Sequence, residues 1–483
     1  MQINSRKPLT LFRLVMINII AVASLRNITI TSQAGWIIIT FYIAAGIFFL
    51  IPFILITSEM ATGYSKNGGI YLWMKDAFGP RIGFIILWLQ WIYNLVWFPS
   101  ICGFFASIIA YIIGPWLFIN PTDMINNSWY IITMSCCMFW LATMVNTFGI
   151  KTSSNISIVG AIVGTLFPML LIITLAIIWL ISSPLINITV QLNDFIPKID
   201  NINHWGLFLT VMYSLLGLEM STIHTGNVKN PEKNFPRALI ISGIVILLSI
   251  VLSNTSVFII NHHVGLDIDV VTGLMTSFQC FFKQFDLLWM STIIAITLVV
   301  GAFSTISAWI MGLSRAFTIA AEDGLISKKL TECNQYGAPS NVLILQAIIF
   351  SIFCLSYLLM PSVLTAYSFL STLTAQLAII GYLGMFAAAI KLKINNVKKT
   401  EKFQIYGGLI GTIMTVIFGF FGCITAIILG FIPTSDIIMS VWVFDAMLVI
   451  GIILLLIVPC IITWFYQKPS AKNRYQSYIQ NIG

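Results

Sequence analysis

The sequence predicts an all-α polytopic membrane protein of about twelve transmembrane helices, and three observations predict it. Charged residues make up 8% of the 483-residue chain and hydrophobic ones 59%, whereas a water-facing surface would need roughly a quarter charged. Apolar runs of about 20 residues, each enough to cross a ~30 Å hydrocarbon core as a helix, recur from end to end, and the mean hydropathy is +0.97. Lys and Arg gather in alternate loops, which gives those runs a common orientation. No long polar stretch is left over for a soluble domain, so residues 1–483 read as a single membrane domain.

The spans are expected at 9–31, 36–61, 82–113, 129–147, 155–182 and 205–224, and then at 236–261, 287–321, 342–360, 362–391, 405–431 and 441–466. With the N-terminus placed in the cytoplasm, 21 of the 24 Lys and Arg fall in inside segments; only Lys198 and Lys283 fall outside, and Arg26 lies within a span. That asymmetry is the positive-inside pattern, and it predicts a multi-pass protein of the inner (plasma) membrane with both termini cytoplasmic. The net charge of +8 is therefore orientation. It calls for a lipid bilayer as partner and for no nucleic acid. The first apolar segment runs on to the next span without an A-x-A-like cleavage site, unlike a secretory signal.

The eight cysteines, at 102, 136, 137, 280, 333, 354, 423 and 460, lie mostly inside spans. Cys280 and Cys333 fall in loops on opposite sides, and the spacing gives neither a disulfide frame nor a metal motif. His262-His263 sits in an external loop without a third ligand. Neither a metal nor a cofactor is expected.

Most spans are unbroken, so the exceptions carry information. The first reads Ile20-Ala-Val-Ala-Ser-Leu-Arg-Asn-Ile-Thr-Ile-Thr-Ser-Gln-Ala34, apolar and then abruptly polar. The sixth reads Val211-Met-Tyr-Ser-Leu-Leu-Gly-Leu-Glu-Met-Ser-Thr-Ile-His224, with Gly217 and Glu219 deep in the span. At 1.5 Å per residue Arg26 and Glu219 each lie ~20 Å into their helices, which enter from opposite sides. This is the expected signature of an inverted repeat, 1–182 matched by 205–391, in which the first helix of each half breaks near mid-membrane and lines a site, against the plainer reading of two coincidental polar interruptions. Two further helices, 405–466, and a short cytoplasmic tail, 467–483, complete the chain.

At these residues the chain resembles the amino acid–polyamine–organocation superfamily, and within it the bacterial glutamate/γ-aminobutyrate antiporter-like branch. The resemblance is carried by Ile51-Pro-Phe-Ile-Leu-Ile-Thr-Ser-Glu-Met-Ala-Thr62, by Gly68-Gly-Ile-Tyr-Leu-Trp-Met-Lys-Asp-Ala-Phe-Gly-Pro-Arg81 and by Ser214–His224 with Asn230-Pro231 and Pro236. Ser307-Ala-Trp-Ile-Met-Gly-Leu-Ser-Arg315 and Lys402-Phe-Gln-Ile-Tyr-Gly-Gly408 continue it. It implies a leucine-transporter-like 5+5 fold with broken helices 1 and 6, amino acid substrates bound at the breaks, and alternating access. Three positions depart from the pattern: Thr305 stands where relatives carry a carboxylate in helix 8, Asn227 where an acidic residue is common, and Arg26 where helix 1 usually has small residues.

A zwitterionic substrate needs a positive partner for its carboxylate and carbonyl-like partners for its ammonium. Broken helices offer both, through free N–H groups at one half-helix end and free carbonyls at the other. Arg26, Asn27, Ile28 and Thr29 are the substrate-binding candidates at the first break, and Tyr213, Gly217 and Glu219 at the second. Gly217 permits backbone conformations closed to other residues. Arg26 could grip a carboxylate bidentately. An ionisable group in a span is costly and by default functional, although Arg26 and Glu219 could instead pair with each other or with backbone and only brace the bundle. Trp309 corresponds to the helix 8 aromatic that covers substrate in relatives. Thr305 and Tyr93, with Asn94, are candidates for the pathway, against the plainer reading of packed interface residues. Glu219 and His224 are the proton-coupling or gating candidates, while Glu59 is expected to make an i,i+4 or backbone contact.

Nothing in the sequence supports an enzyme: there is no P-loop, nucleophile elbow or zinc-spaced set. The leading expectation is proton-linked or substrate-linked amino acid antiport driven by a gradient. The first alternative is sodium- or proton-coupled symport, with Ser304, Thr305 and Ser307 lending hydroxyls to a sodium site beside a helix 1 carbonyl. A non-transporting nutrient receptor or membrane-complex subunit is the alternative from another class.

Overall fold

Long apolar runs become long helices because a backbone away from water must satisfy its own hydrogen bonds. The computed structural model describes residues 10–23, 25–63, 69–182, 190–197, 202–264, 273–322, 324, 326–395, 403–433 and 439–466. The chain opens with α1 (Leu11–Val22) and α2 (Arg26–Ser32), whose axes diverge by 56°. There follow α3 (Ile37–Gly63), the shorter α4 (Gly69–Phe78), α5 (Pro80–Leu117), α6 (Ser128–Asn146) and α7 (Thr152–Ser182). The next set is α8 (Ile202–Tyr213), α9 (Pro231–Val264), α10 (Gly273–Gln284), α11 (Met290–Glu322), α12 (Ser340–Leu359) and α13 (Val363–Ile394). The last two are α14 (Gly408–Leu429) and α15 (Val441–Tyr466).

Among the described residues ten helices are long and apolar enough to cross a membrane, and the bent pair α1–α2 makes an eleventh. The sixth expected span is built differently. Its α-helix stops at Tyr213, the chain unwinds through Leu216 and Gly217, and a 3₁₀ segment, Leu218–Asn227, follows. Twelve residues of α8 reach only ~18 Å, short of a full hydrocarbon core. Two short helices, α4 and α10, occupy stretches expected to be loops.

Local chemistry sets the helix ends. Gly79, at φ +90°, precedes Pro80 at the first position of α5, where a missing N–H costs nothing. Asn127 accepts hydrogen bonds from the Trp129 and Tyr130 backbone N–H at 3.0 and 3.4 Å to cap α6. Ser362 caps α13 by accepting from Thr365 N at 3.0 Å.

The helix α5 runs through the middle of the bundle, packed against α4, α11 and α13. Its apolar window is 78% buried, against 17% for α15, which places α15 on the rim. A widened π-turn at Gly160–Leu166 bends α7 onto α11. There a Cβ on Gly160 would strike Ser304, and one on Gly164 would strike the Gly301 backbone. Small residues let the two backbones approach, the usual device for packing helices in lipid.

At the end of the bundle that holds the C-terminus of α3, Glu59 forms an ion pair with Lys393 of α13 and accepts from Ile405 N at 3.4 Å. The backbone contact matches expectation, but the charged partner lies 334 residues away instead of four. Both residues sit at helix ends that converge, so tertiary packing supplies the partner.

Candidate functional site

The two breaks face each other across a small cavity. Its wall takes Ala21, Val22, Arg26 and Asn27 from the first break, and Tyr213, Ser214, Leu216 and Gly217 from the second. Tyr93, Asn94 and Trp97 come from α5, Thr305 and Trp309 from α11, and Ala378 and Tyr382 from α13.

Where α1 stops, its last carbonyls lack helical partners. Two donors from α11 reach them: the Thr305 hydroxyl donates to Ile20 O at 3.3 Å, and the Trp309 indole N–H to Ala21 O at 3.1 Å. The second break passes close by. Gly217 has φ +115°, and a Cβ there would lie 2.9 Å from Trp309 Cζ2 and 3.3 Å from Ala21 O. Only glycine combines that backbone conformation with that approach. Trp97 meets Trp309 edge-on, with ring centroids 6.0 Å apart.

Arg26 is 1% exposed. Its Nη1 donates to Ser100 Oγ at 2.6 Å and to Ser371 Oγ at 3.0 Å, and its guanidinium lies 5.7 Å from the Tyr213 ring centre and 5.3 Å from that of Tyr367. Nε and Nη2, the edge that matches a carboxylate side-on, are buried and make no short hydrogen bond, with the Tyr213 and Tyr367 hydroxyls lying against the guanidinium. Among the described residues no ion pair joins Arg26 to Glu219, so the bracing pair weighed from sequence is not formed.

Glu219, also 1% exposed, stands outside the cavity wall. Its Oε1 accepts from Gln90 Nε2 at 3.4 Å, and the Tyr382 hydroxyl and the backbone N–H groups of Gly217 and Glu219 also lie against the carboxyl. The phenols of Tyr93 and Tyr382 are its neighbours. Both also line the cavity.

A buried polar chain ties the two breaks together. Thr31 of α2 donates to Asn254 of α9; Asn254 Nδ2 donates to the Tyr42 hydroxyl at 3.5 Å, which meets Ser214 Oγ at 3.1 Å.

Of the residues singled out from sequence, Arg26, Asn27, Tyr93, Tyr213, Gly217, Thr305 and Trp309 come together on the cavity wall, with Asn94 beside them. Ile28 and Thr29 are buried in α2 away from the wall. The His224 side chain lies outside the described residues. The helix 8 hydroxyls named for a sodium site are engaged in the bundle: Ser304 donates to Val300 O at 2.7 Å, and Ser307 accepts from Asn146 Nδ2 at 3.0 Å.

Trp97, Ser214, Tyr382 and the Arg26 partners Ser100, Tyr367 and Ser371 were not singled out. A signal existed for the α5 set. Positions 93, 97 and 100 share one helical face, as do 367, 371, 378 and 382 on α13.

The fold and the cavity define a multi-pass membrane transporter. A family model for amino acid permeases matches residues 9–467, and the chain belongs to that family, which is one of transporters and not of enzymes. It is 38% identical over 468 residues to an uncharacterized transporter of Legionella pneumophila, covering 96% of this chain and 97% of the relative. It is 26% identical over 447 residues to a glutamate/γ-aminobutyrate antiporter of Lactococcus lactis, covering 89% and 85%. A probable agmatine/putrescine antiporter of the same organism is 23% identical over 361 residues, 74% of each chain.

Proposed function

We propose that the protein exchanges amino acids across the inner membrane by alternating access, with substrate held in the cavity between the two breaks. One observation carries this reading: a fully buried arginine on the cavity wall keeps its carboxylate-matching edge free. An ionised side chain buried without a counter-charge is costly. An amino acid brings the missing carboxylate.

In this reading the Nε/Nη2 edge of Arg26 takes a substrate carboxylate, and backbone around Ser214–Gly217 takes the ammonium. Trp309 and Trp97 close the apolar side of the site, and Tyr93 and Tyr213 frame it. The two halves, 1–182 and 205–391, act as an inverted repeat, each opening with its broken helix. Both termini face the cytoplasm, on the strength of the Lys and Arg distribution. Exchange, as opposed to one-way uptake, is supported by the two antiporters among the relatives, which share 26% and 23% identity with this chain.

The test is a counterflow screen. Purified protein in proteoliposomes loaded with each amino acid in turn is offered the same compound in labelled form. Accumulation of one or a few amino acids is the expected result. Failure of every amino acid, with intact protein in the vesicles, would overturn the proposal.

A further inference from the structure

Resting on that reading, we infer that Tyr42 and Asn254, two buried residues off the cavity wall, are positioning residues for substrate: they fix the Ser214 hydroxyl as an acceptor that takes an N–H of the substrate ammonium. Ser214 lines the cavity at the second break, one residue past the end of α8. Tyr42 of α3, Asn254 of α9 and Thr31 of α2 do not line it, and all three are fully buried.

Backbone carbonyls, which can only accept, set the direction of every hydrogen in the chain. Asn254 Nδ2 lies 2.8 Å from Ile250 O, so the amide turns its nitrogen toward Ile250 and Tyr42 and its oxygen toward Thr31. Thr31 donates to that oxygen, and its hydroxyl also reaches Asn27 O, at the first break, at 2.8 Å. Tyr42 accepts from Asn254 at 3.5 Å and keeps its own hydrogen for Ser214 Oγ at 3.1 Å. Ser214 in turn donates to Val211 O at 2.7 Å. All the bonds run one way, and bonds so aligned polarise one another.

A serine hydroxyl has one hydrogen and two lone pairs. At Ser214 the hydrogen is committed to Val211 and one lone pair to Tyr42, so what remains for the cavity is an acceptor. An acceptor fits an ammonium N–H and repels a carboxylate oxygen. Arg26, on the wall at the first break, can only donate. The wall thus carries the two polarities that a zwitterion needs. A serine that bonds back to its own helix is ordinary, and that accounts for Val211 alone; Tyr42 lies 172 residues away. A second tie supplies a structural control. Asn18 Nδ2 of α1 donates to Ser242 Oγ of α9 at 3.0 Å. Both residues are fully buried, neither lines the cavity, and the tie joins the same α9 to the first helix without touching a wall side chain.

The test uses the full chain in proteoliposomes, with each proteinogenic L-amino acid in labelled form as probe and concentration-dependent exchange as the readout, beside melting curves of the same preparations. For the amino acids that exchange, Ser214→Ala should raise KM roughly tenfold with little change in maximal rate, Tyr42→Phe somewhat less, and Asn254→Leu least. Tyr42→Phe added to Ser214→Ala should raise KM no further, because the phenol acts through that hydroxyl. Ser242→Ala should lower the melting temperature and leave KM where it was. The matching 2-oxo acid keeps the carboxylate and has no N–H to offer. The ratio of its inhibition constant to the amino acid's KM should therefore fall in both Ser214→Ala and Tyr42→Phe. An unchanged KM in Tyr42→Phe, additive effects of the two substitutions, a KM shift in Ser242→Ala as large as in Tyr42→Phe, or a ratio that does not fall would overturn the inference while leaving amino acid exchange standing. Exchange of no amino acid by the unaltered protein would overturn the underlying reading and the inference with it.

Discussion

Nη1 of Arg26 donates to Ser100 Oγ at 2.6 Å, from a buried serine one helical face along from Tyr93 and Trp97. This bond and its companion to Ser371 occupy one nitrogen and leave the Nε/Nη2 edge turned free. The guanidinium is thus held by serines of α5 and α13.

Ser100→Ala removes the shorter of those bonds without touching the free edge. A hydrogen bond to a charged group contributes roughly 1.5–3 kcal/mol. The expected outcome is a raised KM for exchange with little change in maximal rate, and a protein that still elutes as a monodisperse peak. Arg26→Lys should fail more severely, because an ammonium cannot reproduce the planar fork. Concentration-dependent counterflow on the two variants measures both effects.

Gly217→Ala forces a side chain into a left-handed backbone and against Trp309 and Ala21. The strain is roughly 1–3 kcal/mol, small beside the stability of a large bundle but placed between the two breaks. Exchange should fall steeply while the melting temperature of the detergent-solubilised protein drops only modestly. Melting and flux on the same preparation separate the two.

Trp309→Phe keeps an aromatic face and deletes the N–H that reaches Ala21 O. Losing the donor to a buried carbonyl costs roughly 1–3 kcal/mol. Exchange should slow, and Trp309→Leu, which also removes the ring, should slow it further. Equal rates for Phe and Leu would assign the whole effect to the hydrogen bond.

The ion pair between Glu59 and Lys393 is largely buried, with the side chains 4% and 16% exposed. Removing one partner leaves the other charge uncompensated, at a cost of roughly 3–5 kcal/mol. Lys393→Met should therefore lower the melting temperature more than the double variant Glu59→Gln/Lys393→Met. A melt of the three proteins in one detergent decides it.

The fold was legible because hydropathy and loop charge report directly on burial in lipid, and twelve runs with alternating Lys and Arg admit few arrangements. Arg26 and Gly217 were legible for a related reason: a charge or a glycine deep in an apolar span breaks a strong pattern. Depth along a helix says nothing about direction around it, however. Glu219 reads as a wall residue, yet past the unwinding at Leu216–Gly217 it lies off the cavity wall, beside Tyr93 and Tyr382. Trp97, Ser100 and Tyr382 were missed because an aromatic or a serine in a span is ordinary packing until a neighbouring helix is known. The helices α4 and α10 were missed because short amphipathic segments look like loops beside apolar runs of 20 residues or more.

Orientation has its own test. Cys333 is exposed at the end of the bundle assigned to the cytoplasm. An impermeant thiol reagent on intact cells should spare it and should reach it once the membrane is opened. Labelling of Cys333 in intact cells would reverse the topology.

The most direct measurement of the central claim is the initial rate of labelled amino acid uptake into proteoliposomes that are either empty or preloaded with unlabelled amino acid, at matched pH and voltage. Exchange through a single alternating cavity predicts uptake many times faster into the loaded vesicles. Equal rates into empty and loaded vesicles would contradict it and identify a uniporter or symporter instead.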